Sequence, residues 1–398
     1  MSLKALEREQ LEPGKTLPWD IVDDGGRILL PRGTPVLDES QARSLYLRGW
    51  ALEVEGMEVS ATGEPVETRG TASWRQRPSE APSNRPRFFH ALERFVQQLE
   101  EVIADILTGK GRNAPDRLLK LSAQIQLQVA RDADGLLAAI ELFDGGRYGS
   151  LHALHGATLC ELLMAQTPNQ DPSLRQPLLA AALTRDIGFL EFQDELDRQS
   201  EPLSRKQQDE VRAHPMASVR ILKEAGVHNV DWLTAVGQHH ERLNGSGYPH
   251  GLSGDQITPW ARILGITDTY SALTKTRAYR PAVQGPHAMM AMFKSRGILV
   301  DETLMQEVIR TLGLWPPGLL VKLASGETAV VIRRTANLKA PEIRVIADQD
   351  GKLLQIYQFR DASEPEFLIQ EVLSRTSNLR ERLNYRQLWG EITLMGRR

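Results

Sequence analysis

Histidines, a carboxylate and arginines lie close together in one stretch of this sequence. Adjacent His239 and His240 precede a glycine-rich turn at 245–249, an apolar run then leads to Asp268, and an Arg-Ala-Tyr-Arg segment follows at 277–280. Imidazoles and carboxylates bind divalent metals. Glycines let backbone N–H groups approach an anion, and arginines hold phosphate oxygens with paired donors. The combination predicts a metal site that handles phosphate, although each part alone is more often a simple turn or a surface detail.

Three more candidate ligands lie upstream, in segments with helical spacing of apolar residues. They are His155, Asp186 and His214. Because they belong to separate helices, only a helical bundle can bring them to one place. His152 lies three residues before His155, on the same helical face, and we predict a core or supporting role for it.

The ordered motifs HHE, GSGYP and GLSG, followed by Asp268 and RAYR, resemble those of the HD-GYP family, bacterial metal-dependent phosphodiesterases that act on cyclic di-GMP. The resemblance implies a mainly α, HD-type helical bundle with a bound divalent metal, iron or manganese. It places metal ligands at His155, Asp186, His214, His239, His240 and Asp268, with Asp186 also the catalytic residue. It places substrate contacts at Gly247, Tyr248, Arg277 and Arg280.

Two positions depart from the family pattern HDxGK, which reads here Arg185-Asp186-Ile187-Gly188-Phe189. Arginine has no lone pair for a metal and stays protonated in proteins, so Arg185 places a fixed positive charge where the family has a ligand. Phe189 cannot supply the charge of the lysine expected to contact phosphate. Either the remaining ligands hold one ion with Arg185 turned away, or Arg185 replaces an ion and pairs with Asp186 or Asp268.

Two functions follow from these alternatives. In the first, which we favour, hydrolysis is weak or lost, and the protein binds cyclic di-GMP or presents its GYP loop to a partner, such as the GGDEF-domain cyclases that the family resemblance implies. In the second, the protein is an active phosphodiesterase in which two ions activate water and stabilise the charge developing at phosphorus.

Composition limits the other possibilities. The 398 residues carry a net charge of −3, which gives no reason to expect a duplex nucleic acid partner. The one cysteine, Cys160, rules out an internal disulfide and fits a reducing, cytoplasmic setting. No apolar run is long enough to predict a membrane span.

The sequence divides into five parts. We predict a small β-rich N-terminal module at 1–56, a linker at 57–86, a helical segment at 87–143, the HD-GYP domain at 144–315 and a β-rich C-terminal extension with its tail at 316–398. The helical segment contains an amphipathic helix over 87–107 that could also pair two copies of the chain in a homodimer. The extension contains four predicted strands and then a helix over 364–375.

Overall fold

The computed structural model describes residues 86–389 except 144, 166–171, 197–198, 200, 202, 275–282, 284 and 374–378, together with four short strands and scattered residues between 2 and 53. These residues form two compact units, 1–82 and 83–398. Most of the predicted linker lies outside the described residues. None of the helices in the described part combines the length and apolar character needed to cross a bilayer.

The first unit contains an antiparallel four-stranded sheet, as expected for a β-rich module. Its strands are β1 (Ser2–Ala5), β2 (Asp20–Val22), β3 (Ile28–Leu30) and β4 (Trp50–Glu53), in the order β1-β4-β2-β3. Ile21 of β2 and Leu30 of β3 pack in a small apolar core.

Helices make up most of the second unit. They are α1 (Arg87–Leu107), α2 (Ala114–Leu142), α3 (Tyr148–Met164), α4 (Gln176–Thr184), α5 (Leu190–Leu196), α6 (Arg205–Glu224), α7 (Val230–Gln238), α8 (Pro259–Leu273), α9 (Gly285–Lys294), α10 (Glu302–Leu312) and α11 (Tyr385–Trp389). Helix α1 has the predicted bounds. Its apolar face packs into the core of its own chain, and the homodimer remains a prediction.

A break at Asp132 divides α2 into two helical parts. Asp132 has non-helical dihedrals, φ −159° and ψ 81°, inside an otherwise continuous helix. Its carboxylate accepts a hydrogen bond from the Gly135 N–H at 2.9 Å, which caps the second half of the helix. The kink has an identifiable local cause.

Helix α3 is the centre of the bundle. All but two of its residues are buried, Tyr148 and Leu151 being the exceptions, and it packs against α2, α4 and α8. A helix that is surrounded on every side has no solvent-facing stripe, so its polar residues must find partners inside the protein. The candidate ligand histidines of this helix are therefore inside the core.

A five-stranded antiparallel sheet follows the bundle. Its strands are β5 (Leu320–Leu323), β6 (Thr328–Arg333), β7 (Glu342–Ala347), β8 (Leu353–Asp361) and β9 (Ile369–Val372), in the order β8-β7-β6-β5-β9. The four predicted strands are confirmed, with small changes of bounds. One face continues the helical core through Val330 and Ile332, and the other carries a separate core around Val331 and Val345.

The helix predicted over 364–375 is wrong. The described part of the stretch, 364–373, forms a 3-10 turn, Pro365–Phe367, followed by strand β9, which pairs with β5. Strand β5 would otherwise be an edge with unpaired backbone groups, and β9 satisfies them. A local sequence pattern cannot show this long-range pairing.

Candidate metal centre

Five elements meet where the candidate ligands converge. Helix α3 supplies His152, the turn after α4 supplies Asp186, and α6 supplies His214. The end of α7 supplies His239 and His240, and α8 supplies Asp268. Among the described residues, two groups of side chains have ligand atoms within 4.8 Å of one another: His214, His239 and His240, and His152, Asp186 and Asp268.

Two glycines let the helices approach closely enough to form this centre. A Cβ on Gly188 would lie 2.7 Å from the Ser218 backbone N of α6, and a Cβ on Gly265 would lie 2.6 Å from the His239 backbone O. The Gly188 N–H also donates to Ser218 Oγ at 3.0 Å. Glycine at these two positions therefore sets the spacing of α6 and α8 around the site.

The three-histidine group, His214, His239 and His240, is arranged to offer lone pairs. His214 Nδ1 lies 2.6 Å from the Val211 carbonyl and His239 Nδ1 lies 2.7 Å from the Val236 carbonyl. These carbonyls hold the ring protons on Nδ1 and leave Nε2 as the acceptor. The two Nε2 atoms are 3.3 Å apart, and His214 Nε2 lies 3.4 Å from Asp186 Oδ1.

The pKa shifts of His239 and His240 also favour rings that offer lone pairs. Burial lowers the pKa of His239 to about 4, and the neighbouring His214 adds to this shift. Burial and the adjacent His239 also hold the pKa of His240 well below its ordinary value. Imidazole nitrogens that face one another suit a shared cation. With Asp186, the three-histidine group has the donors to hold one divalent ion.

The second group is filled by a side chain of the protein itself. Arg185 is fully buried, and its Nε donates to Asp268 Oδ1 at 2.8 Å and lies 3.4 Å from Asp186 Oδ2. Its Nη1 donates to the Ala182 carbonyl at 2.5 Å. We call this arrangement, His152, Asp186 and Asp268 with Arg185 among them, the arginine-filled group.

The charges of the arginine-filled group are balanced internally. Burial alone would raise the pKa of Asp268, but Arg185 and the hydrogen bond with His152 outweigh it and hold that pKa well below its usual range. Burial and Arg185 act on the pKa of Asp186 in the same opposing way, and the net shift is again downward. Two carboxylates thus share one guanidinium, and this group does not fit a second metal ion.

Gly156 provides the space for the guanidinium. A Cβ at this position of α3 would lie 2.8 Å from Arg185 Nη1. Glycine in the middle of a buried helix costs about 1 kcal/mol relative to alanine, so a close neighbour is the physical reason for it here. Sequence analysis missed Gly156, and its position inside the apolar helix was the available signal.

One predicted ligand lies outside both groups of side chains. His155 is in neither group, and its ring lies edge-on to Tyr270 with centroids 6.0 Å apart. His152 instead contacts Asp268 Oδ1 at 2.9 Å through Nε2, while its Nδ1 lies 3.0 Å from Ser271 Oγ. Positions three apart on a helix point about 60° apart, and this rotation turns only one of the two rings towards the carboxylates.

The GYP loop folds back over the three-histidine group. The Tyr248 ring lies 4.7 Å from the His240 ring, and its backbone N–H donates to the His240 carbonyl at 3.2 Å. A Cβ on Gly247 would lie 2.6 Å from that same carbonyl oxygen, so glycine is needed there. The Glu241 carboxylate accepts from the N–H groups of His250 and Leu252 at 2.7 and 2.9 Å, which fixes the far end of the loop.

Three positions discussed from the sequence remain: Phe189, Arg277 and Arg280. Phe189 packs on the His214 ring with centroids 5.1 Å apart, so an apolar face lies where the family pattern has lysine. Arg277 and Arg280 lie outside the described residues.

Comparison with known proteins agrees with this geometry. A sequence model described as an HD domain matches residues 150–304. A cyclic di-GMP phosphodiesterase of Pseudomonas aeruginosa is 29% identical over 231 residues, 58% of this chain and 55% of that protein. The cyclic di-GMP phosphodiesterase response regulator RpfG of Xanthomonas campestris is 27% identical over 230 residues, 57% of this chain and 59% of that protein. The chain thus spans a little over half the length of these two relatives.

Two further similarities complete the comparison. A 3'3'-cGAMP-specific phosphodiesterase of Vibrio cholerae is 32% identical over 143 residues, 35% of this chain and 32% of that protein. The solved structure of an HD-GYP-type protein from Bdellovibrio bacteriovorus aligns with a TM-score of 0.49 and 15% identity, over 77% of this chain and 98% of that one. Residues 150–304 of this chain therefore match the HD domain family, and the relatives with matching sequence are named as cyclic dinucleotide phosphodiesterases.

Proposed function

We propose that this protein binds a cyclic dinucleotide of the cyclic di-GMP class and that two-metal hydrolysis of it is weak or lost. The observation that supports this is the position of Arg185. Its guanidinium lies between Asp186 and Asp268, at 3.4 and 2.8 Å from their oxygens, where a second ion would need those same carboxylates. A buried cation cannot share these ligands with a divalent ion without strong repulsion.

The class of ligand comes from the relatives. Those with matching sequence are named as phosphodiesterases of cyclic di-GMP or of 3'3'-cGAMP. Both compounds are cyclic dinucleotides with two phosphodiester groups, and the three-histidine group with Asp186 retains donors for an ion that would contact one of them. A divalent ion bound there would supply Lewis acidity and charge for a phosphate oxygen.

The chain's own residues would then orient the ligand without completing the reaction. Tyr248 and the backbone of the GYP loop cover the three-histidine group, and Phe189 presents a ring beside His214. A ring can stack on a base or sugar, but it cannot neutralise phosphate as lysine does. The arrangement favours binding over turnover.

A second candidate function is slow hydrolysis with a single ion at the three-histidine group. It is favoured by the completeness of that group, in which His214 and His239 both direct Nε2 towards Asp186, at 3.4 and 3.9 Å. If this function is correct, His239→Ala should abolish a measurable wild-type turnover.

The GYP loop also supports a role in protein binding. Its Gly245 is half-buried and its Ser246 is exposed. The Glu241 carboxylate accepts a hydrogen bond from the His250 N–H at the end of the loop. A GGDEF-domain cyclase is the partner that we propose for this surface. Titration of such a domain with wild type and with Ser246→Trp would test it, and equal affinities would contradict it.

The test of the main proposal is titration of the manganese-loaded protein with cyclic di-GMP, with product analysis on the same sample. We expect saturable binding with little or no linear dinucleotide, and turnover in the double variant Arg185→His/Phe189→Lys. Rapid turnover by the wild type would contradict the loss of hydrolysis. Absence of binding to any cyclic dinucleotide would contradict the proposed class of ligand.

A further inference from the structure

A cavity of about 520 Å³ opens beside the metal centre, and neither the family match nor the sequence motifs explain it. It lies between α1, the start of α3 and the turn after α4. Asp186 lines it, so the cavity adjoins the candidate ligands directly. Its size is that of a small-molecule site, and α1, which forms one wall, lies outside the matched HD domain.

The walls are apolar, with a small polar patch. Leu99, Ile103, Leu183, Ile187 and Leu190 supply apolar surface, a setting suited to the face of a flat ring. Glu100, Ser150 and Arg147 supply the polar groups. A cavity of this kind matches a purine base better than a sugar or a phosphate, because only the base combines two apolar faces with a hydrogen-bonding edge.

The Glu100 carboxylate is held in a fixed orientation. Its Oε1 accepts from Ser150 Oγ at 2.9 Å and from the Arg147 backbone N–H at 3.3 Å. Within the described part of the chain, no hydrogen bond is recorded for Oε2. An ionised carboxylate only accepts hydrogen bonds. Glu100 therefore offers one oriented acceptor to a ligand in the cavity.

Guanine and adenine differ at the edge that such an acceptor would read. Guanine presents two N–H donors, at N1 and N2, whereas adenine presents an acceptor at N1 that a carboxylate repels. Arg147, which also lines the cavity, carries N–H donors of the kind that pair with the O6 and N7 acceptors of guanine.

We propose that this cavity binds one guanine base of the cyclic dinucleotide and that Glu100 is a specificity-determining residue. The inference rests on the proposed function, because it assumes a cyclic dinucleotide at the adjoining metal centre. It adds that selection between guanine and adenine depends on α1.

The experiment is calorimetric titration of the manganese-loaded full chain with cyclic di-GMP and with cyclic di-AMP. We expect Glu100→Gln to weaken cyclic di-GMP binding about tenfold while cyclic di-AMP binds no more weakly, because the amide oxygen can still accept from Ser150 while its NH2 replaces the acceptor. Glu93→Gln, two turns earlier on α1 and outside the cavity lining, is the matched control and should bind both ligands as the wild type does.

A second variant keeps the inference testable if Glu100→Gln disturbs the fold. Ala104 is exposed and lines the cavity, so Ala104→Trp should fill it and weaken cyclic di-GMP binding at least tenfold with metal content unchanged. If both variants bind like the wild type, the cavity is not the base site and the proposed function still stands. If the wild type binds neither ligand, both proposals fail.

Discussion

The two halves of the metal centre, the three-histidine group and the arginine-filled group, differ in the charges that their side chains carry. The three-histidine group places the Nε2 atoms of His214 and His239 3.3 Å apart. The arginine-filled group directs two carboxylates at a guanidinium. The second half contains a cation of the protein itself, whereas the first offers imidazole nitrogens to a cation from solution. In the function that we propose, arginine at position 185 is the one difference that turns half of a metal site into an ion-pair network.

The largest expected effect comes from removing the internal cation. We predict that Arg185→Met lowers the free energy of unfolding by about 3–5 kcal/mol, because Asp186 and Asp268 lose the charge that compensates their burial. Urea denaturation would measure it. Arg220→Met, at an exposed i,i+4 pair with Glu224, is the control and should change stability by less than about 1 kcal/mol. Equal effects of the two variants would contradict a compensating role for Arg185.

The two halves should also respond differently to added metal. At an Mn²⁺ concentration of about 100 times its Kd, the wild type should gain about 2.7 kcal/mol of stability. We predict that His214→Ala loses this gain and that His152→Ala retains it, because only His214 belongs to the three-histidine group. Denaturation with and without Mn²⁺ measures the difference. Loss of the gain in both variants would mean that the halves act as one site.

A methyl group added at Gly156 of α3 should test how closely the Arg185 guanidinium is packed against this helix. We predict that Gly156→Ala destabilises the protein by about 1–3 kcal/mol, because the added methyl group meets Arg185 Nη1 at 2.8 Å. The matched control is Gly237→Ala in α7, where the nearest neighbour would be 3.5 Å away and no loss is expected. In an Arg185→His background the cost of Gly156→Ala should largely disappear, and a cost that persists would place the clash elsewhere.

The smallest effect concerns the loop over the three-histidine group. Glu241→Gln should destabilise the protein by about 1 kcal/mol, because hydrogen bonds from His250 and Leu252 to a charged acceptor are replaced by one to a neutral amide. The arginine-filled group should be unaffected, so the effects of Glu241→Gln and Arg185→Met on the free energy of unfolding should add. Strong coupling between them would contradict the expectation that the GYP loop and the arginine-filled group act separately on stability.

The sequence was most informative where spacing along the chain carries the meaning. The bounds of α1 and four of the C-terminal strands follow from local periodicity and turn residues. The fifth strand, β9, does not, because pairing with β5 replaces a local preference with long-range hydrogen bonds.

At the site, the sequence indicated which residue types are present but not which side chains contact one another. Five of the six candidate ligands are in the two groups, and pairing of Arg185 with Asp186 and Asp268 was one of two alternatives that the sequence left open. The choice between His152 and His155 depended on the rotation of α3 against α8, and the role of Gly156 depended on where the Arg185 side chain goes. Neither can be derived from the sequence alone, because both depend on how the helices pack.

The most direct test of the account is the metal-to-protein ratio of the wild type and of Arg185→His, purified without chelator and loaded with Mn²⁺. If the Arg185 guanidinium takes the place of a second ion, the wild type binds no more than one ion per chain, and Arg185→His binds about one more than the wild type. Two ions per chain in the wild type would show that the guanidinium does not replace a metal, and the proposed loss of hydrolysis would lose its physical basis.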